Sequence, residues 1–185
     1  MAQSSSRPIR DVLAFAAVTL GAIVGLAALN RLPAAIGGEP LGVLRYDSVA
    51  QVSDRYQVTP WQPRTLPAPW SWPPTRIRVK PGELDWVEYE FGDGAGGGLV
   101  ACQTLARVDR QVEVPTDLLP PGELLQADEA VVAGRPARVG RLLLADGTIV
   151  HELWWRWNGR TIMLRLRGTP AALHSIAERA MGSAE

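Results

Sequence analysis

Residues 137–167 read ARVGRLLLADGTIVHELWWRWNGRTIMLRLR, and the two turn signals in this stretch decide the fold. Period-two runs of residues flank Asp146-Gly147 and Asn158-Gly159, as expected for β-strands with one buried face. Both dipeptides supply the positive φ angles that a two-residue type I′ hairpin turn requires. The stretch therefore predicts three antiparallel strands, over 137–144, 148–157 and 160–167.

Two-residue turns would also fix the register of these strands. The second turn pairs Leu153 with Leu164 on one face of the sheet and Glu152 with Arg165 on the other. The first turn places Arg141 opposite Glu152. We therefore expect Arg141, Glu152 and Arg165 to form one row of alternating charge on the exposed face of the sheet. The opposite face, which carries Leu153 and Leu164, is expected to be apolar.

The rest of the domain follows from periodicity, proline content and capping. Alternation predicts four earlier strands, at Thr75–Val79, Trp86–Phe91, Leu99–Leu105 and Val108–Val114. Pro60–Pro74 is too rich in proline for a helix or a central strand, and 115–127 is predicted to be a connection. Helices are predicted over 47–57 and after Thr169, which caps a helix that has Pro170 at its first position.

An uncharged run precedes this domain, and Val12–Leu29 reads VLAFAAVTLGAIVGLAAL. At about 1.5 Å per residue, such a helix covers most of a hydrocarbon core about 30 Å thick. Arg7 and Arg10 precede the run and only Arg31 lies close behind it, which favours a cytoplasmic N-terminus. A signal peptide cleaved near Ala34 or Ala35 is one alternative. A buried helix of a soluble protein is another, although such helices usually show a polar face and this run shows none.

These patterns predict an α+β protein, in which an N-terminal transmembrane helix is followed by a curved antiparallel sheet packed on a C-terminal helix. The expected order is a short cytoplasmic N-terminus, a transmembrane helix, a linker and an extracytoplasmic domain, over 1–11, 12–31, 32–45 and 46–185. The expected location is the cell membrane, crossed once, with the C-terminal domain outside the cytoplasm.

Composition argues against several classes of function. The 19 basic and 19 acidic residues give zero formal net charge, so no electrostatic case exists for nucleic-acid binding. Cys102 is the only cysteine, and His151 and His174 lack partners at ligand spacing, which argues against a metal site. No nucleophile motif is present. We therefore expect no catalytic residue, no metal and no cofactor, and a protein that is not an enzyme.

Aromatic and basic residues of the predicted hairpin indicate a function in protein contact more clearly than any residue indicates catalysis. Trp154 and Met163 fall on the charged face of the predicted hairpin, with Arg156 and Arg165 beside them. Trp, Met and Arg are enriched at protein interfaces. These four residues are therefore interface candidates. The alternative is that the linker or the tryptophan-rich segment of the same chain covers them.

A second candidate contact lies in the membrane run, where Gly21 and Gly25 form a GxxxG pair. Small residues four apart let another helix approach closely. The alternative is that an Ala- and Gly-rich run contains this spacing by chance.

The assembled pattern resembles a group of uncharacterised bacterial, mostly actinobacterial, single-pass membrane proteins with an external domain. Related domains follow the membrane helix of some anti-sigma factors. The resemblance rests on Arg10-Asp11, Leu66-Pro67 before Trp70, Trp86–Phe91, Leu99–Thr104 with Gln103, Gly134, the Trp154–Gly168 hairpin and Pro170–Ala180. About ten residues before the helix are too few for a sigma-binding domain.

The function expected from these features is non-catalytic. The chain is predicted to be an accessory or assembly subunit of a membrane protein complex, with the membrane and other subunits of that complex as partners. The alternative is an extracytoplasmic module that holds a lipid or another apolar ligand between sheet and helix. An apolar cavity under the sheet would favour the ligand-binding module. A filled core with an exposed Trp154 would favour the accessory subunit.

Overall fold

A computed structural model describes residues 19–20, 40, 42–92 and 98–181. The chain divides into two compact units, Met1–Leu41 and Gly42–Glu185. The predicted transmembrane helix, with Gly21 and Gly25, lies outside the described residues apart from Thr19 and Leu20, which are helical. No helix among the described residues is long and apolar enough to cross a membrane.

In the second unit, one antiparallel sheet of eight strands has the order β1-β2-β3-β4-β8-β7-β6-β5. The strands are β1 (Leu44–Tyr46), β2 (Arg76–Lys80), β3 (Trp86–Phe91), β4 (Leu99–Thr104), β5 (Gly122–Val132), β6 (Arg135–Leu144), β7 (Ile149–Trp157) and β8 (Arg160–Leu166). The helices are α1 (Val49–Tyr56) and α2 (Pro170–Met181). The predicted α+β class, antiparallel sheet and C-terminal helix are confirmed.

The turn between β7 and β8 has the predicted geometry. Asn158 and Gly159 have φ angles of 49° and 74°, so both occupy the left-handed region that a type I′ turn needs. Leu153 pairs with Leu164, and Glu152 pairs with Arg165. The predicted register of this hairpin is therefore confirmed.

The turn between β6 and β7 differs from the prediction by one residue. Leu143 pairs with Ile149, and the amide of Leu144 donates to the Thr148 carbonyl at 2.8 Å, which leaves a three-residue loop. Only Gly147 of this loop has a positive φ, at 80°, as in a hairpin whose last loop residue is left-handed. The predicted row of three charges is therefore wrong, because Arg141 lies opposite His151 instead of Glu152.

Three further boundaries differ from the prediction. The segment predicted as a strand at Val108–Val114 has no regular structure, and the predicted connection at 115–127 contains the first half of β5. The first strand, β1, begins at Leu44, inside the predicted linker. β5 was not predicted because residues Glu123–Glu129 are exposed on both faces of the strand. Its sequence therefore lacks the alternation of polar and apolar residues that identifies a half-buried strand.

The apolar face of the sheet packs on α2. Leu173 and Ile176 of the helix belong to the same buried cluster as Leu153, Trp155 and Leu164 of the sheet. Thr169 caps α2 as predicted, because its hydroxyl oxygen accepts from the amide of Ala172 at 3.2 Å. The helix and the sheet thus share one continuous core.

The proline-rich segment, residues 60–74, lies against the same face without forming a helix or a strand. Trp61 is buried and meets Trp155 edge to face, with ring centroids 5.7 Å apart. The side chain of Gln103 fixes this contact, since it accepts from the Trp61 amide at 2.7 Å and donates to the Trp61 carbonyl at 2.8 Å. A buried glutamine therefore anchors this segment on an otherwise apolar face.

The central part of the opposite, charged face is also buried, beneath a covering segment that we define as residues 105–121. Leu118 and Leu119 of this segment contact Trp86, Cys102 and Met163 in a second buried cluster. Glu152 and Arg165 are only 5% and 9% exposed. The prediction that this ion pair faces solvent is wrong, because the covering segment excludes water from it.

Cys102 provides a chemical probe of this burial. The thiol lies in the middle of the sheet, is 1% exposed, and has its pKa raised by burial. Since the thiolate is the reactive form, we expect a disulfide reagent to modify Cys102 at least about 10³-fold more slowly in buffer than in urea. The release of the coloured thiolate from Ellman's reagent measures both rates. Rapid modification in buffer would contradict the covered arrangement.

Candidate interaction surface

Trp154 lies at the border between the buried and the exposed parts of the charged face. It stands on β7 opposite Met163, as predicted, and its indole is half-buried. The indole Nε1 donates to Oε2 of Glu152 at 3.0 Å. Trp154 is therefore held by this hydrogen bond and by packing against the second buried cluster, and the remaining part of its surface is accessible for contact.

The neighbouring ion pair fixes the covering segment in place. Glu152 Oε1 accepts from Nε of Arg165 at 2.7 Å, and Nη1 of Arg165 donates to the Pro120 carbonyl at 2.9 Å. Further along the same face, Arg78 of β2 is paired with Glu88 of β3 and donates to the Leu118 carbonyl at 2.7 Å. The two buried arginines thus bind backbone oxygens of the same segment.

The other predicted contact residues divide into buried and exposed. Met163 is fully buried, and Arg165 is nearly so. Arg156 is exposed, and its guanidinium donates to the carbonyls of Val108 and Asp109. The structure therefore brings all four predicted sheet residues together, but three of them stabilise the covering segment or the core. Part of the patch is thus covered by the chain itself, through residues 105–121 and not through the tryptophan-rich segment.

An open cleft of about 1050 Å³ begins at Trp154 and runs along the outer hairpin of the sheet. Its walls are residues 127–131 of β5 and 135–138 of β6, with Gln111 and Arg156 at the rim. Glu129 and Arg138 are register partners on this hairpin, so the cleft presents both signs of charge. A cleft that combines a large aromatic ring with mixed polar groups is typical of protein contact surfaces.

β5 is the last strand on this side of the sheet, and no other strand among the described residues pairs with its outer edge. It is 11 residues long, and Leu124, Leu125 and Val131 are 52%, 45% and 57% exposed. A register shift between Leu124 and Gln126 leaves Leu125 as an extra residue, which interrupts the ladder. Exposed edge strands offer unpaired backbone groups to another chain. This edge and the Trp154 cleft together form the candidate interaction surface.

The histidines give no sign of a metal centre. His151 is 8% exposed and its Nδ1 is buried without a hydrogen-bond partner, whereas His174 is exposed with Nε2 3.6 Å from Glu178. Within the described ranges, no group of three or more His, Cys, Asp or Glu side chains is placed to hold a metal ion.

Several groups on this surface are of the kinds that protein contacts use. Trp154, Val131 and the edge of β5 supply apolar area and backbone hydrogen-bonding groups, and Glu129 and Arg138 add charged groups to the cleft between them. Interface hot spots are often large aromatic residues that combine such area with one polar anchor. Comparison of the chain with protein-family models, curated proteins and solved structures finds no match.

Proposed function

We propose that this chain is a non-catalytic, membrane-anchored protein of the cell envelope, acting as an accessory or assembly subunit of a membrane protein complex. The anchor would be the helix at 12–31, crossing the membrane once, with Gly21 and Gly25 as a second contact. The domain would then lie outside the cytoplasm. Support for the anchor comes from the uncharged run and the arginines that flank it. The predicted resemblance to single-pass actinobacterial membrane proteins leads to the same proposal.

The observation that carries the proposal is the exposed edge of β5 beside the Trp154 cleft. An extended segment of a partner protein can add to a sheet edge, where main-chain hydrogen bonds give affinity and alternate side chains give specificity. Here the alternate side chains of such a segment would lie beside Glu129 at the outer wall of the cleft, and another part of the same partner would cross the cleft to reach Trp154, which stands two strands further in on β7. The proposed occupant is therefore an extended segment of another subunit.

The apolar-ligand alternative has weaker support. It requires space between the sheet and α2, where Trp155 and Leu164 already contact Leu173 and Ile176 in one buried cluster. A lipid tail in that position would have to displace well-packed side chains, which costs free energy because protein interiors are close-packed.

The test uses the full-length protein in the membranes of its own host cells. Trp154→Ala and Val131→Asp are each expected to weaken association with the partner subunit by about 2 kcal/mol or more, the usual hot-spot threshold. Both variants should remain folded, because Val131 is exposed and Trp154 is only half-buried. Quantitative mass spectrometry after purification in mild detergent measures the partner that is retained.

Leu44→Asp is the matched control, since Leu44 is 44% exposed on β1 at the opposite edge of the sheet. Its partner recovery should equal that of the wild type. Equal recovery in all four proteins would remove the interaction surface from this face. Loss of folding in Trp154→Ala with normal partner recovery in Val131→Asp would assign Trp154 to the core instead.

A further inference from the structure

A second cleft, of about 640 Å³, lies at the β7–β8 turn, between residues 57–64 and the end of α2, and is basic. Arg64, Arg107 and Arg160 line it together with amide side chains, and no aspartate or glutamate is among its lining residues. Its volume lies in the range of small-molecule sites. The cleft therefore carries a local positive charge although the chain as a whole has none.

The β7–β8 turn and the covering segment hold two of these arginines at neighbouring positions. The amide of Val108 donates to the Gly159 carbonyl at 2.6 Å, and the aliphatic stem of Arg107 lies over Gly159. A Cβ added at Gly159 would meet that stem at 3.4–3.5 Å, an ordinary van der Waals contact, so Arg107 packs directly on the turn that precedes Arg160. The hydrogen bond between Val108 and Gly159 thus keeps the guanidinium groups of Arg107 and Arg160 close together.

No carboxylate among the described residues forms an ion pair with these three arginines. Arg160 uses Nη1 to donate to the Thr59 carbonyl at 2.7 Å, while its Nε is buried without a partner. Burial lowers the pKa of Arg160, and the charge of nearby Arg107 lowers it further. Two adjacent guanidinium groups repel each other, and an anion that lies between them offsets this repulsion.

We propose that this cleft binds a phosphate group through Arg107 and Arg160, with Arg64 and the amide side chains at its rim. Guanidinium groups donate in a planar fork that matches the oxygens of a phosphate. The cleft has room for more than the anion, and Trp157 adds an apolar wall. The ligand class is therefore a small phosphorylated molecule or a phospholipid headgroup, which share this chemistry.

The experiment titrates the full-length protein, in a nonionic detergent at constant ionic strength, with two probes measured by calorimetry. Inorganic phosphate represents the free source, and dihexanoyl phosphatidylglycerol represents the lipid headgroup. At least one probe should saturate. Arg107→Gln and Arg160→Gln should each weaken its binding roughly tenfold or more, as loss of a charge-assisted hydrogen bond does.

Arg110→Gln is the matched control, because Arg110 is an exposed arginine of the same segment that does not line the cleft. It should bind within about twofold of the wild type. Arg107 is exposed, so its variant tests the site even if Arg160→Gln unfolds. Saturation by phosphate alone assigns a free phosphate compound, and saturation by the lipid alone assigns a headgroup. Failure of both probes, or equal weakening by Arg110→Gln, would overturn the proposal.

Discussion

Glu152→Ala is expected to lower the free energy of unfolding by about 3–5 kcal/mol, since removing one partner of a buried ion pair leaves the other charge uncompensated. Arg165 is 9% exposed and would keep only the Pro120 carbonyl as a protein acceptor. The indole of Trp154 would lose its acceptor as well. Urea denaturation followed by tryptophan fluorescence measures the loss.

Glu90→Ala is the matched control for this effect. Glu90 is paired with Arg76 in the same row of the sheet, but these side chains are 24% and 37% exposed. Removing a pair that solvent reaches should cost only about 0–1 kcal/mol. Replacing Glu152 by Leu and Arg165 by Met together should cost less than Glu152→Ala, because no buried charge then remains. Similar losses in Glu152→Ala and Glu90→Ala would mean that the covering segment does not bury the pair.

Trp155→Ala is expected to cost about 3–5 kcal/mol, the usual range for truncating a buried tryptophan. Trp155 is 1% exposed and supports Trp61, which Gln103 holds against the same face. Its Nε1 has no hydrogen-bond partner, so the loss reports packing alone. The same urea denaturation experiment measures it.

Trp72→Ala provides the comparison, because Trp72 is 37% exposed and its ring meets those of Tyr89 and Phe91 from the outside of the core. Its loss should be clearly smaller than that of Trp155→Ala. A larger loss for Trp72→Ala would mean that the proline-rich segment, and not α2 and the sheet, supplies most of the core.

The sequence predicts the fold correctly where the residues of a turn allow only one backbone geometry. Asn158-Gly159 can adopt few turns, so both the hairpin and its register were predicted correctly. Asp146-Gly147 was ambiguous, because an Asp-Gly pair fits a two-residue loop as well as the three-residue loop that forms. One residue of difference moved Arg141 to the other face of the sheet.

The local sequence pattern could not predict that the charged face of the sheet is buried. Glu88, Glu152 and Arg165 alternate with apolar residues as solvent-facing side chains do, and only the covering segment removes them from water. That segment has no regular structure, so no period in the sequence predicts where it lies. The arginine cleft was missed for a similar reason, since Arg64, Arg107 and Arg160 are distant in sequence and meet only through the fold.

The most direct test of the proposed function is photo-crosslinking from the edge of β5 in intact host membranes. A photoreactive amino acid at Val131, 57% exposed, should give an adduct with one partner subunit that mass spectrometry identifies. The same amino acid at Leu44 on the opposite edge should give none above background, and adding Trp154→Ala should reduce the Val131 adduct. Equal adducts from Val131 and Leu44, or none from Val131, would contradict an interaction surface at this edge.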